Sequence, residues 1–197
     1  MLFDFATDTL SRLRALDLES IDVLQRVLLI TDGTLTEILE AWRLERILLT
    51  KLSHQALRGP ARDELLQVQE GDQVLERRIL LCGEKTRVNY VYAESLIAVD
   101  RLGPKFRDDL LHSNIPLGQL WLNHRLETLK EMVAIRREPA GKLSQYFKIS
   151  PDASVFVRTY RVFSGALPVM LITEYFPNTY AGLLTDGPNA GQAQPTS

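Results

Sequence analysis

The stretch VLERRILLCGEKTRVNYVYAESLIAV, Val74 to Val99, decides the fold. Its two halves are β-branched, aromatic and aliphatic, and GEKT (83–86) between them is polar and turn-forming, so it reads as a β-hairpin. A second hairpin follows the same grammar: SVFVRTYRVF (154–163), the turn SGALP, and VMLITEYF (169–176). Strand texture begins at RILLTKL (46–52). Adjacent strands joined by short turns build antiparallel sheets, and the βαβ alternation of a parallel sheet is missing from the pattern.

Helical periodicity surrounds these strands. Residues 4–17 and 20–31 read as helices, with Ile21, Leu24, Val27 and Leu28 on one face of the second. TDGT (31–34) interrupts it. Gly33 suits a left-handed C-terminal position, and Thr34 with Glu37 three residues on has the form of a capping box for LTEILEAW. DRLGPKFRDDLLHSN returns to helix with Pro104 in its first turn, and Pro116 opens the short helical IPLGQLWLNHR. LETLKEMVAIRRE (126–138) fits either a charged helix or a strand with Leu129, Val133 and Ile135 inward. The expectation is an α+β fold: a single antiparallel β-sheet with helices packed against it. Residues 1–184 are expected to form one domain, and the Gly/Pro/polar run 185–197 a disordered tail.

Composition narrows the function classes. The chain has 197 residues, 45% of them hydrophobic, with net charge −2, and no basic block to follow a nucleic-acid backbone. The helix after TDGT carries Glu37 and Glu40 where a DNA-reading helix needs cations. Cys82 is the single cysteine, so no internal disulfide forms, and no Cys/His spacing suits a metal. The N-terminus lacks a signal-peptide pattern and no apolar run reaches 18 residues, so a cytoplasmic setting without a membrane span is expected. No long apolar face is left over, which makes a monomer the default and leaves a small homo-oligomer open. Glycine-rich phosphate loops and nucleophile elbows are absent, and Cys82 has no evident base beside it. His54, His112 and His124 lack ligand spacing; Asp108–Asp109 and Arg136–Arg137 read as solvated faces.

Two charges break the apolar rows of the hairpins. Side chains alternate along a strand, so Arg77 shares a face with Leu75, Ile79 and Leu81, and Glu174 with Met170, Ile172 and Phe176. Burying an unpaired charge costs several kcal/mol. Either these are structural ion pairs or strand-end charges, or they face a common ligand pocket. Arg158 and Arg161 have opposite parity, so one faces inward and one outward, and the sequence does not say which.

Six stretches, TDGTLTEIL (31–39), LERRILLC (75–82), YAESLIAVDRL (92–102), NIPLGQL (114–120), RTYRVFSG (158–165) and ITEYF (172–176), together resemble the chorismate lyase family, in its actinobacterial, cyanobacterial and archaeal branch. The resemblance implies two helix-turn-helix flaps over a buried ligand cavity. It also implies cofactor-free and metal-free conversion of chorismate to 4-hydroxybenzoate and pyruvate. Arg77 falls where the family holds the ring carboxylate, and Glu174 where it faces the ring oxygen. Leu35 and Leu117 match flap positions whose backbone touches the ligand. The chain departs from the better-known ubiquinone-pathway branch at Glu94, where that branch has an arginine, and in a longer turn within SGALPVMLITE. The alternative is a non-catalytic domain of the same fold that binds a small aromatic acid, like the effector-binding domain of GntR-type regulators. About 30 residues precede TDGTLTEIL, fewer than the winged helix of such a regulator needs, so the enzyme is the expected reading.

Overall fold

The structure, a computed structural model, describes residues 5–14, 16, 21–58, 62–113 and 115–180. Six strands form one antiparallel sheet: β1 (Ile47–Arg58), β4 (Gln73–Gly83), β5 (Asn89–Ala98), β6 (Leu129–Pro139), β7 (Ser154–Ser164) and β8 (Leu167–Pro177). A short ladder of β2 (Arg62–Asp63) and β3 (Val68–Gln69) lies apart from it. The order in the sheet is β1-β4-β5-β8-β7-β6, so each expected hairpin is present and β5 and β8 join them at the centre. Residues 129–139 resolve as the edge strand β6. Its bulge between Met132 and Ala134 shifts the alternation, so Ile135 packs on the core while Leu129 stays half exposed rather than turning inward.

Helices cover one face. These are α1 (Phe5–Arg14), α2 (Val23–Ile30), α3 (Leu35–Arg43), α4 (Pro104–His112) and α5 (Leu117–Asn123). Around α1 to α3, Leu28, Leu29 and Leu39 pack on Ile79, Leu81, Val91, Phe156 and Phe176. Around α4 and α5, Phe106, Leu110 and Leu120 pack on Leu75, Ile97, Val162 and Ile172. These sheet residues alternate along their strands as the period of two requires. On the opposite face α6 (Ser144–Phe147) covers Leu80, Tyr92, Val155 and Val157, and the β2–β3 ladder covers Val74 and Ala98.

Local capping differs from the sequence expectation. The capping box belongs to α2: the Gln25 amide donates to Asp22 Oδ1 at 2.9 Å, and the Asp22 amide to Gln25 Oε1 at 3.2 Å. Thr34 makes no side-chain cap, and Gly33 is not left-handed, because α2 ends on extended Thr31, whose hydroxyl accepts from the Gly33 amide. Val27 is on the exposed side of α2, and the buried side carries Gln25, Leu28 and Leu29. The stretch SGALP is not a five-residue turn: β8 begins at Leu167, leaving Gly165 and Ala166 at the tip, with Gly165 at φ 63°. The ends of the two expected N-terminal helices, residues 4 and 15–20 apart from Leu16, and the expected tail, 185–197, lie outside the described residues.

Candidate functional site

Between the two helical pairs lies a cavity, partly open to solvent. Its floor is the sheet, through Arg77, Ile79, Ala93, Ser95, Ile172 and Glu174. One wall is the turn between α2 and α3, with Gly33 to Thr36; the other is the start of α5, with Pro116 to Gly118 and Trp121. Leu35 and Leu117 are the first residues of α3 and α5, and first-turn amides have no acceptor within their own helix. The two walls touch. A Cβ on Gly118 would lie 2.6 Å from Thr34 Cγ2, so only glycine allows this approach.

Arg77 and Glu174 therefore face one cavity. In the register Arg77 is opposite Ser95 and Ser95 opposite Ile172; Glu174 lies opposite Ala93, two residues further along. With strands 4.8 Å apart and a rise of 3.4 Å per residue, their Cα atoms are about 12 Å apart. Arg77 is 2% exposed, and among the described residues its Nε and Nη2 have no hydrogen-bond partner. Desolvation lowers its pKa to about 10.

Glu174 is differently placed. It is 7% exposed and paired with Arg158, whose Nε donates to Oε2 at 2.5 Å, while the Tyr160 hydroxyl donates to Oε1 at 3.0 Å. Glu174 thus sits in a buried ion pair and also lines the cavity. Arg158 is the inward arginine; its Nη1 also donates to the Thr31 carbonyl at 3.0 Å. Burial pushes the Tyr160 phenol well above its ordinary value, and the neighbouring Glu174 adds to it. Arg161 turns the other way and donates to Glu131 at 2.5 Å. Glu94 lies on the opposite sheet face, near Arg78 and accepting from the Tyr92 hydroxyl at 2.7 Å, and does not line the cavity.

Sequence reasoning missed Lys130 and left Arg158 unassigned. Lys130, half-buried on β6, donates from Nζ to the Asp32 carbonyl at 2.5 Å and to the Gly33 carbonyl at 3.4 Å. It lies 5.6 Å from the ring centroids of both Trp121 and Tyr160. Desolvation and the nearby Arg158 lower its pKa. Its signal was hidden because 126–138 fitted a helix as well as a strand.

The architecture is an α+β domain, a six-stranded antiparallel sheet with two helical walls over a cavity that holds charges of both signs. The effector domain of PhnF from Mycobacterium smegmatis has this fold, with TM-score 0.59 and 14% identity, over 75% of this chain and 90% of that one. The C-terminal domain of the histidine utilization repressor from Pseudomonas syringae pv. tomato aligns with TM-score 0.53 and 15% identity, over 67% of this chain and 92% of that one. These likenesses concern the fold alone. Sequence comparison goes further. Residues 29–184 match the family described as Chorismate pyruvate-lyase Rv2949c-like. The chorismate pyruvate-lyase of Mycobacterium leprae is 35% identical over 154 residues, 77% of this chain and 72% of that protein. That of Mycobacterium tuberculosis strain H37Rv is 31% identical over 156 residues, 77% of this chain and 78% of its own. The chain belongs to the Rv2949c-like chorismate pyruvate-lyase family.

Proposed function

We propose that the protein converts chorismate to 4-hydroxybenzoate and pyruvate, with Arg77 and Glu174 as the principal site residues. The observation that carries this reading is the buried Arg77 guanidinium, two of whose donors lack a partner among the described residues, lining the same cavity as the Glu174 carboxylate. A planar carboxylate satisfies two parallel N–H donors at once. The spacing to Glu174 leaves room for a six-membered ring with its carboxylate on Arg77 and its para hydroxyl on Glu174. Arg77 and Lys130 line the cavity with Glu174, and Arg158 stands behind that carboxylate, so cations outnumber carboxylates around the site, which suits an anionic substrate.

The chemistry asks mainly for positioning and charge stabilisation. Losing the C4 hydrogen and the C3 ether makes the ring aromatic, so the step is strongly downhill. Glu174 already accepts a donor at each oxygen and keeps a lone pair for the substrate hydroxyl, so it holds the 4-hydroxyl and orients C4–H. The amides at Leu35 and Leu117 close on the ligand from the flaps, and the apolar walls exclude water.

Mixing the purified protein with chorismate and separating the products tests the reading. Stoichiometric pyruvate and 4-hydroxybenzoate are expected. Binding of 4-hydroxybenzoate without pyruvate formation would replace it with the non-catalytic aromatic-acid binding module. Full activity of Glu174→Gln would remove any role for Glu174 as proton acceptor while keeping its hydrogen bond.

A further inference from the structure

The geometry points to Lys130 as the residue that takes the three-carbon side chain of the substrate, its carboxylate first and then the enolate oxygen as the ether breaks. The inference rests on the chorismate reading above and assigns the half of the substrate that Arg77 and Glu174 leave unheld.

The argument is positional. On the ring, the carboxylate is at C1, the enolpyruvyl ether at C3 and the hydroxyl at C4. If C1 points to Arg77 and C4 to Glu174, the ether must leave the ring at the Glu174 end. Lys130 stands at that end: its ammonium lies over the ring of Tyr160, whose hydroxyl donates to Glu174, and it faces Trp121 on the second flap. Arg158 is the other cation there, but its Nε is taken by Glu174 and its Nη1 by the Thr31 carbonyl. The Lys130 ammonium has three hydrogens and two backbone acceptors, one of them distant at 3.4 Å, so it can turn a hydrogen toward an incoming anion. Its partial desolvation strengthens that attraction.

The electron count is closed. The C4–H bonding pair becomes the new ring double bond, and the C3–O pair leaves with the ether oxygen. The C4 proton ends on the terminal CH2, which becomes the methyl group of pyruvate. Negative charge develops on the ether oxygen as the bond breaks, and a fixed ammonium there lowers the barrier.

The test is Lys130→Met, which keeps the stem and removes the charge, beside Lys130→Arg. For Lys130→Met, kcat/KM for chorismate is expected to fall about 10²- to 10³-fold. Affinity for 4-hydroxybenzoate, which lacks the three-carbon unit, is expected to stay within about twofold, and Lys130→Arg to recover part of the turnover. A parallel loss of 4-hydroxybenzoate affinity would overturn the assignment and leave Lys130 as a clasp holding the Asp32–Gly33 turn. Unchanged turnover in Lys130→Met would overturn it as well. Failure of the wild-type protein to release pyruvate would instead sink the underlying chorismate reading.

Discussion

Replacing Arg77 by methionine should make the ligand-free protein more stable and unable to bind. The guanidinium is buried, with two donors lacking partners among the described residues, and desolvation takes its pKa from the ordinary arginine value down to about 10. That depression corresponds to about 3 kcal/mol against the charged form in the folded state. The sign follows: below about 10 the folded protein carries the full penalty, and stability rises with pH only between the two values. At neutral pH a methionine removes the charge and replaces the aliphatic stem. Water reaching the cavity already returns part of the cost, so the expected gain is about 1–3 kcal/mol. For a chain of this size that is roughly 2–12 °C in Tm. The assay is a thermal melt of both proteins with and without 4-hydroxybenzoate. Wild type should rise with ligand; Arg77→Met should start higher and not respond. A variant that melts lower than wild type without ligand would refute the reasoning, because Arg77 would then be satisfied in the free protein.

Other outcomes follow from particular contacts. Glu174→Leu strands the Arg158 charge and should cost about 3–5 kcal/mol, whereas adding Arg158→Met should restore much of that stability without restoring turnover; equal melts for the single and double variants would exclude the coupling. Gly118→Ala forces its Cβ against Thr34, so chorismate turnover should drop by up to about 10²-fold, and Thr34→Gly in the same chain should recover it. Glu45 tests the scaffold. Burial pushes its pKa up, but the amides of Thr86 and Lys85 and the hydroxyls of Thr86 and Tyr90 outweigh burial and bring it below 4.5. Its contribution is therefore present above 4.5 and lost as pH falls through the lower folded value, and Glu45→Gln should cost about 1–3 kcal/mol at pH 7 and flatten the acid side of a Tm-versus-pH curve.

The hairpins were legible because alternation is a local property. The same parity that set Arg77 and Glu174 on apolar rows holds in the sheet, and both line one cavity. The Arg158–Glu174 pair was within reach: a turn at 164–168 puts Phe163 opposite Val169, and counting back sets Arg158 opposite Glu174, their observed register. The bulge at Val162–Phe163 lets a two-residue tip keep that register. Other features were not local. Lys130 enters the site only because β6 docks beside β7, a pairing across the segment 140–153 that no tight-turn signal specifies. The capping box at Asp22 was displaced by the stronger-looking Thr34–Glu37 pattern, which forms no such bond because Thr34 instead packs against the second flap.

The hydrogen bond from Arg158 to the Thr31 carbonyl joins two things that would otherwise vary independently. The guanidinium that aligns Glu174 is also anchored to the hinge of the first flap. A lid swinging about residues 31–34 must either drag Arg158 with it or release that carbonyl, so lid position and carboxylate alignment form one mechanical unit. Substitutions in the exposed turn at Asp32 and Gly33 should then register as changes in the rate of the chemical step, not merely in substrate capture. For this fold, distance along the surface from the reacting atoms is a poor guide to which positions an engineer may alter freely.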